Sequence, residues 1–371
     1  MDRRRLCVAV SAFLKRHAPA FTAAAALNRF FGQAGEERLL RINAYEVAEE
    51  IHAGRRPVLE LFLDMVARGL LDLNWEFHCP YCNGITGRHR HLGDATTEGV
   101  CTVCRIHTPF SNELDGNVEV TFTPVARLYR FDPAFVQQVT DRMVAQIQAG
   151  TLTMPLAYVR GLDCLQLPIF REKFGTEVLS RNESLSIKRI CIMFTDIRGS
   201  TALYERLGDA KAYRLVRHHF DLLFRVVERE GGVIVKTIGD AVMASFGSPA
   251  QGVGAALHIQ EVFGRLAARE RVGQAIVVKI GLHAGPSLLV NLNDRSDYFG
   301  RTINLASRIQ GTAAGGEVMI SEAMRNNRAS VRRMAGHVRS VTKRTYAFKG
   351  IDRPQVVFRL NLRKPAPAAS R

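Results

Sequence analysis

The stretch Phe194-Thr-Asp196-Ile-Arg-Gly-Ser-Thr201 decides the fold of the second half of the chain. The apolar residues that lead into it from Ile190 predict a strand, and the glycine and small hydroxyl residues after Asp196 predict a tight turn into a helix. Lys236-Thr-Ile-Gly-Asp240 repeats the pattern, with a second aspartate at a strand end. Two rigidly held carboxylates suit hard cations such as Mg²⁺ or Mn²⁺, and the amides of the first turn suit phosphate oxygens. The two segments together predict a nucleotide-phosphate site with metal.

A third segment, Asp297-Tyr-Phe-Gly-Arg-Thr-Ile-Asn304-Leu-Ala-Ser-Arg308, adds an aspartate in a loop and a polar pair on the helix after that loop. Asn304 and Arg308 stand four residues apart, so they share one helix face. With these residues in place, the sequence resembles the class III nucleotidyl cyclases over roughly Lys188 to Leu360, about half the chain. The resemblance implies an α+β catalytic domain with a ferredoxin-like βαββαβ core and extra elements.

The resemblance also implies a role for each matching residue. Lys236 and Asp297 would read the base. Asn304 would orient the ribose, and Arg308 would stabilise charge on the α-phosphoryl oxygens. The metal-binding residues implied are Asp196, Ile197 and Asp240, and the remaining substrate-binding residues are Arg198, Gly199, Ser200, Thr201 and Lys349.

The implied reaction converts ATP into 3′,5′-cyclic AMP and pyrophosphate with two Mg²⁺ or Mn²⁺ ions. Lys236 and Asp297 offer a donor and an acceptor, which match the ring nitrogen and exocyclic amine of adenine. Guanylate cyclases of the family usually carry Glu and Cys or Ser there. In this family one subunit supplies the metal aspartates and the other supplies the Asn/Arg pair. One catalytic domain per chain therefore implies a symmetric homodimer with two sites.

Each motif also has a plainer interpretation. An aspartate before Gly-Ser-Thr is often only a helix N-cap, and Asn304 with Arg308 would suit an ordinary solvated helix face. Lys236 would suit the outward side of a half-buried strand. The alternatives for the whole domain are a guanylate cyclase, or a catalytically idle signalling or nucleic-acid-binding protein that uses the fold to dimerise. One segment, Asn291-Leu-Asn-Asp-Arg-Ser, departs from the glycine-rich hairpin of many relatives.

Composition suits a soluble enzyme with more than one domain. The chain has 371 residues, 47% of them hydrophobic, and no apolar run long enough to cross a bilayer. No signal peptide is expected, because the basic start lacks an adequate apolar segment before Lys15. The cysteine pattern indicates a reducing compartment, so a cytoplasmic location is expected. Most of the net charge of +16 comes from the region that begins at Ala323. Two interpretations are open: a basic surface that attracts ATP or anionic lipid, or an ordinary solvated surface with a disordered end after Leu362.

The N-terminal part has the outline of a winged helix. A helix over 44–52, a turn at Gly54, a second helix from Pro57 to Gly69 and a strand over Leu70–Phe77 are predicted. A winged helix that binds DNA needs polar and basic groups along its second helix, whereas the second helix here is largely apolar. Nucleic-acid binding is therefore disfavoured.

Two chelating turns come next, Cys79-Pro-Tyr-Cys82 and Cys101-Thr-Val-Cys104, with 18 residues between the pairs. This spacing predicts a structural zinc ribbon with four thiolate ligands and one Zn²⁺ per chain. Four histidines lie nearby as alternative ligands: His78, His89, His91 and His107. The winged helix followed by a ribbon resembles a domain of uncharacterised function found ahead of some bacterial adenylate cyclases, which implies a regulatory module.

The connection to the catalytic domain is predicted to be largely helical. After a strand within Val118–Leu128, apolar residues from Phe131 to Ile147 recur at helical spacing. Pro155 and Pro168 are expected to interrupt the chain beyond Ile147, before a short helix over Arg171–Ser180. The predicted organisation is a winged-helix-like region (1–76), a ribbon and strand region (77–130), a helical linker (131–187), the cyclase domain (188–361) and a disordered tail (362–371).

Overall fold

The computed structural model describes residues 3–104, 108–152, 157–267 and 276–363. The chain divides into two compact units. The first unit comprises Met1–Ile187 and Leu288–Asp297, and the second comprises Lys188–Ser287 and Tyr298–Arg371. Apart from residues 362 and 363, the predicted disordered tail lies outside the described residues.

The first unit contains eight α-helices, one short 3-10 helix (Leu92–Asp94) and five complete strands among its described residues. The helices are α1 (Arg3–His17), α2 (Ala24–Gln33), α3 (Glu36–Leu40), α4 (Ala44–Glu50), α5 (Arg55–Ala67), α6 (Pro133–Gln148), α7 (Gly161–Leu165) and α8 (Pro168–Lys173). The strands are β1 (Leu71–His78), β2 (Ile85–His89), β3 (Glu98–Gly99), β4 (Phe110–Ser111) and β5 (Val118–Pro124). Strand β1 lies between β2 and β5 in an antiparallel sheet, and β3 pairs with β4.

Helices α4 and α5 and strand β1 confirm the elements predicted for residues 44–77. The side chain of Asn43 caps α4 by accepting a hydrogen bond from the Tyr45 amide at 3.0 Å. Helix α5 begins at Arg55, two residues before the predicted start at Pro57. The first turn accommodates the proline because the N–H groups there have no helical partner. Phe62 on α5 is fully buried and meets Phe122 edge to face. The apolar face of α5 is therefore core; the winged-helix relationship itself stays a prediction.

The linker agrees with the prediction only in part. Helix α6 begins at Pro133, with Asp132 as its N-cap, and carries the expected apolar stripe. The short helix predicted over Arg171–Ser180 is wrong, since α8 ends at Lys173. Pro168 occupies the first turn of α8 and starts a helix instead of interrupting one. Pro155 lies outside the described residues.

The second unit and the strands that lead into it have mixed α and β structure. Its helices are α9 (Ser200–Leu207), α10 (Asp209–Arg229), α11 (Pro249–Ala267), α12 (Arg301–Gly311), α13 (Glu322–Arg325) and α14 (Arg328–Met334). The remaining strands are β6 (Ser184–Ile197), β7 (Gly232–Ile238), β8 (Ala241–Phe246), β9 (Val278–Leu292), β10 (Arg295–Phe299), β11 (Val318–Ser321), β12 (Val338–Tyr346) and β13 (Gln355–Leu362).

The order of these elements confirms the predicted ferredoxin-like core. Strand β6, helix α10, strands β7 and β8, helix α11 and strand β9 form the βαββαβ series, with sheet order β9-β6-β8-β7. Strands β11, β13 and β12 extend the sheet beyond β9. Gly281 on β9 allows α12 to lie directly on the sheet, since a Cβ there would sit 2.2 Å from the Gln310 backbone nitrogen. This close approach fixes the helix that carries Asn304 and Arg308.

Strands β9 and β10 form a hairpin whose tip belongs to the first unit. Its two turn residues, Asn293 and Asp294, both have positive φ (53° and 56°), as a type I′ turn requires. Asparagine and aspartate tolerate this conformation better than other non-glycine residues, so the hairpin closes without the glycines common in relatives. Arg181 forms an exposed ion pair with Asp294 at 3.3 Å.

Among the described residues, no helix combines the length and the apolar character that crossing a membrane requires.

Candidate active site

The two candidate metal carboxylates lie at the same end of neighbouring strands. Thr195 on β6 pairs with Val242 on β8, so Asp196 at the end of β6 lies close in register to Asp240, which immediately precedes β8. Gly239 makes the tight β7–β8 turn possible with a φ of 61°. Asp240 Oδ2 is buried and has no hydrogen-bond partner among the described residues. A buried carboxylate oxygen without a donor is what a divalent cation would satisfy, so these residues fit the predicted metal site.

Lys279 is a site residue that the sequence did not single out. Its ammonium on β9 forms an ion pair with the Asp196 carboxylate, and both side chains are about three-quarters buried. In Val277-Val-Lys-Ile the lysine resembles an ordinary outward strand residue, and only the sheet order places β9 beside β6. The pair places a positive charge directly beside one of the two candidate metal carboxylates.

The predicted phosphate turn leads into α9. Gly199 adopts φ 67° and precedes Ser200 and Thr201, the first residues of that helix. Arg198 is held by a 2.9 Å hydrogen bond from its amide to the Val277 carbonyl. A Cβ on Gly315 would lie 2.4 Å from Arg198 Cδ, so a glycine there leaves room for the turn. The predicted turn into a helix is therefore present, and phosphate binding by this turn stays a prediction.

Asn304 and Arg308 line one cavity. Both are exposed on α12, and the cavity of about 310 Å³ also has His283, Gly350 and Gln355 in its wall. His283 Nδ1 lies 2.8 Å from Ser321 Oγ, and burial lowers the pKa of His283 to about 4, so its imidazole is neutral at pH 7.

Lys349 is exposed in the turn after β12, and the next two residues, Gly350 and Ile351, line the cavity with Asn304 and Arg308. The structure thus brings the Lys349 turn, but not the lysine side chain itself, to the wall of this cavity.

The two candidate base-reading residues belong to different units. Lys236 is exposed on β7 and pairs with Met243, next to an irregularity in the ladder at Val235 that changes the direction of nearby side chains. Asp297 is 7% exposed on β10 and is the last residue of the hairpin segment assigned to the first unit. Each lies on a strand, as predicted for Lys236, whereas the loop predicted for Asp297 is wrong because β10 extends to Phe299.

The four cysteines of the predicted ribbon come together. Their Sγ atoms all lie within 4.8 Å of one another; the Cys79–Cys104 pair is 3.9 Å apart and the Cys82–Cys101 pair 3.7 Å. Four thiolates about 2.3 Å from a tetrahedral Zn²⁺ would be about 3.8 Å apart. The donor set and its spacing therefore fit zinc.

The thiols of the cluster do not ionise alike. Burial raises the pKa of Cys79 and Cys82, whereas hydrogen bonds from the Cys104 and Val103 amides and from the neighbouring thiols outweigh burial and lower the pKa of Cys101 to about 7. Two of the alternative histidine ligands are engaged elsewhere, His78 with Glu119 and His91 with Glu177. His107 lies outside the described residues.

A second cluster of possible ligands consists of Glu76, His78 and Glu119, all buried. Arg41 already occupies it: its Nε lies 2.5 Å from Glu76 Oε2, and its Nη2 lies 2.5 Å from Glu119 Oε2. Burial alone would lower the pKa of Arg41, but the two carboxylates outweigh burial and raise it. This cluster is an internal ion-pair network of the β2-β1-β5 sheet.

Comparison with known proteins finds two sequence families in the chain. The sequence model described as adenylate and guanylate cyclase catalytic domain matches residues 183–351, and that of a family of unknown function, DUF5939, matches residues 8–141. The uncharacterized protein Rv2212 of Mycobacterium tuberculosis is 32% identical over 186 residues, which cover 48% of this chain and 45% of the relative. An adenylate cyclase of Anabaena cylindrica is 31% identical over 157 residues, covering 38% of this chain and 31% of the relative.

The crystal structure of the adenylyl cyclase CyaB from P. aeruginosa aligns with a TM-score of 0.40 and 22% identity, over 48% of this chain and 95% of that one. The chain spans less than half the length of the two curated relatives described above. Residues 183–351 thus match the adenylate and guanylate cyclase catalytic domain family, and residues 8–141 match a family of unknown function.

Proposed function

We propose that the protein is an adenylate cyclase that converts ATP into 3′,5′-cyclic AMP and pyrophosphate. The observation that carries the proposal is the position of Asp196 and Asp240 on neighbouring strands, with Asp240 Oδ2 buried and without a hydrogen-bond partner among the described residues. Asn304 and Arg308 in one cavity support it, because they supply the second half of the site.

In the proposed reaction, the ribose 3′-oxygen attacks the α-phosphorus and the bond to the bridging oxygen of pyrophosphate breaks. Asp196, Asp240 and Ile197 would hold two Mg²⁺ or Mn²⁺ ions, which when bound supply acidification of the 3′-hydroxyl and neutralisation of triphosphate charge. The proton of the hydroxyl leaves to solvent. Arg308 donates to the α-phosphoryl oxygens as charge develops, and Asn304 orients the ribose. Lys279 and the Arg198–Thr201 turn bind the β- and γ-phosphate oxygens, which leave as pyrophosphate.

We further propose that the site is shared between two copies of the chain. The metal aspartates of one subunit would meet Asn304 and Arg308 of the other, giving two sites per symmetric dimer. The cysteine-bearing domain would then act as a regulatory module, because a site assembled from two subunits responds to small changes in their arrangement.

Base choice tests the function directly. Purified protein should turn over ATP in preference to GTP with Mn²⁺ or Mg²⁺, and the double variant Lys236→Glu/Asp297→Cys should lose most of that preference. A site built on hydrogen bonds rejects the wrong base because buried polar groups stay unpaired. Product formation from each nucleotide is the measurement, with Lys343→Glu at an exposed position of β12 as a control that repeats the lysine-to-glutamate change elsewhere. Equal use of both nucleotides by the wild type would refute the assignment of Lys236 and Asp297, and no turnover of either would refute the function.

Zinc content tests the cysteine cluster. Gently purified protein should contain about one zinc per chain, and Cys79→Ser/Cys82→Ser should lose the metal and unfold the surrounding region, because structural zinc contributes much of the folding free energy of a small domain. Elemental analysis and limited proteolysis are the measurements. Cys7→Ser, which changes a half-buried thiol outside the cluster, should leave both unchanged. Protein that folds normally and contains no zinc would contradict the assignment.

A further inference from the structure

The last three residues of α8, the chain that follows and the first residue of β6 connect two parts of the first unit. We call residues 171–184 the connecting segment, residues 91–97 the ribbon loop and residues 288–297 the hairpin tip. The ribbon loop lies between the two cysteine pairs in sequence, and the hairpin tip ends at Asp297. All three belong to the first unit.

Carboxylates of the connecting segment hold the ribbon loop. Glu177 accepts a hydrogen bond from the Leu92 amide at 3.0 Å, and its other oxygen lies 2.8 Å from His91 Nδ1. Glu183 accepts hydrogen bonds from the Thr97 amide at 2.5 Å and from the Thr97 hydroxyl at 2.7 Å. Charge-assisted bonds of this kind are about twice as strong as neutral ones, so the loop and the segment move together.

The connecting segment also forms hydrogen bonds to the hairpin tip. Asn291 Nδ2 donates to the Leu179 carbonyl at 2.7 Å, and Asn291 Oδ1 is buried. Arg171 Nη1 donates to the Ser296 carbonyl at 3.4 Å, one residue before Asp297. The backbone next to Asp297 is thus hydrogen-bonded to the same segment that binds the ribbon loop.

We propose that the connecting segment positions Asp297 for base recognition and that Asn291 is the positioning residue on the hairpin tip. Through this segment, the ribbon loop influences nucleotide affinity by way of Asp297. The proposal rests on the proposed function, because it takes Asp297 to read the base. It assigns the first domain an effect on substrate binding, separate from any effect on subunit arrangement.

The test compares isosteric variants. Asn291→Asp replaces the amide donor with an oxygen that faces the Leu179 carbonyl, at almost the same side-chain volume. The KM for ATP should rise about three- to tenfold, the effect of losing one hydrogen bond, with kcat within about twofold. Base recognition acts equally in the ground and transition states, so its loss changes KM and not kcat. The preference for ATP over GTP should shrink by a similar factor. Asn361→Asp on β13, where the amide bonds Ser340 and Thr342, is the matched control and should behave as wild type.

A second variant changes the ribbon loop, at the other end of the connecting segment. Thr97→Val removes the hydroxyl that bonds Glu183 and accepts from the Ser184 amide at 3.0 Å, and it preserves the side-chain shape. Like Asn291→Asp, it should raise the KM for ATP, although Thr97 lies in the ribbon loop. The double variant Thr97→Val/Asn291→Asp should show less than the sum of the two effects, because both act through one segment.

The possible outcomes distinguish the positioning role of Asn291 from the proposed cyclase function. A wild type without cyclase activity would contradict both hypotheses. An active wild type with an unchanged KM and base preference in Thr97→Val and in folded Asn291→Asp would overturn the positioning role alone. If Asn291→Asp fails to fold, as judged by thermal melting, Thr97→Val decides the question. A fall in kcat at constant KM would also contradict the inference, since it would indicate disturbed catalysis rather than disturbed base recognition.

Discussion

Replacing Asp196 or Asp240 with asparagine is expected to lower kcat by about 10²–10³-fold while leaving the fold intact. Losing one well-placed stabiliser of transition-state charge costs about 2.7–4 kcal/mol. Asparagine keeps the shape of the side chain but removes the negative charge that would hold the divalent cations. In Asp196→Asn it also removes the ion pair with Lys279.

Turnover of ATP with Mn²⁺ and with Mg²⁺, together with a thermal melt, is the measurement. Asp221→Asn is the control, because Asp221 is a half-exposed carboxylate on α10 whose partner Arg217 lies on the same helix. It should retain full activity. Wild-type turnover in Asp196→Asn or Asp240→Asn would rule out metal catalysis through these carboxylates.

Mixing two inactive variants is expected to restore activity. Asp240→Asn should lack a functional metal-binding half of the active site. Arg308→Ala should lack the group that stabilises charge on the α-phosphoryl oxygens. In a mixed dimer, one of the two interfaces would combine the intact Asp240 of one subunit with the intact Arg308 of the other. With random exchange, half of the dimers are mixed and each has one intact site of two, so the recovered rate should approach about a quarter of the wild-type rate.

The experiment needs proof that subunits exchange, for example by co-purification of differently tagged variants. Mixing Asp240→Asn with Asp196→Asn is the matched control and should stay inactive, because both variants damage the same half of the site. Exchange without recovered activity would contradict a site shared between subunits. Activity of either variant alone at the wild-type rate would contradict the role of the residue it removes.

Local patterns explain why much of the catalytic site could be predicted. An apolar strand, a turn glycine and an aspartate lie within a few residues of one another at Asp196 and again at Asp240, and the structure builds both turns as expected. The i, i+4 spacing of Asn304 and Arg308 required only that α12 form. These features depend on neighbours in sequence.

The features that were missed depend on distant parts of the chain. Lys279 reaches Asp196 only because β9 lies beside β6, and its own strand gives no sign of this. Helices α1, α2 and α3 were not predicted, since the first 40 residues carry no motif that pointed to function. The grouping of the hairpin tip with the first unit rests on hydrogen bonds such as Asn291 to Leu179, which link residues more than a hundred positions apart.

That grouping has a consequence for biosynthesis. Domains generally fold as units while the chain emerges from the ribosome, at about 5–20 residues per second. The first unit cannot be completed when Ile187 emerges, because it also needs residues 288–297, which emerge about 110 positions later. At those rates the partly formed unit waits about 5–20 s with the binding surface for the hairpin tip uncovered. During this interval it is a candidate for chaperone binding, and a translational pause before residue 288 would be expected to lower the yield of native protein.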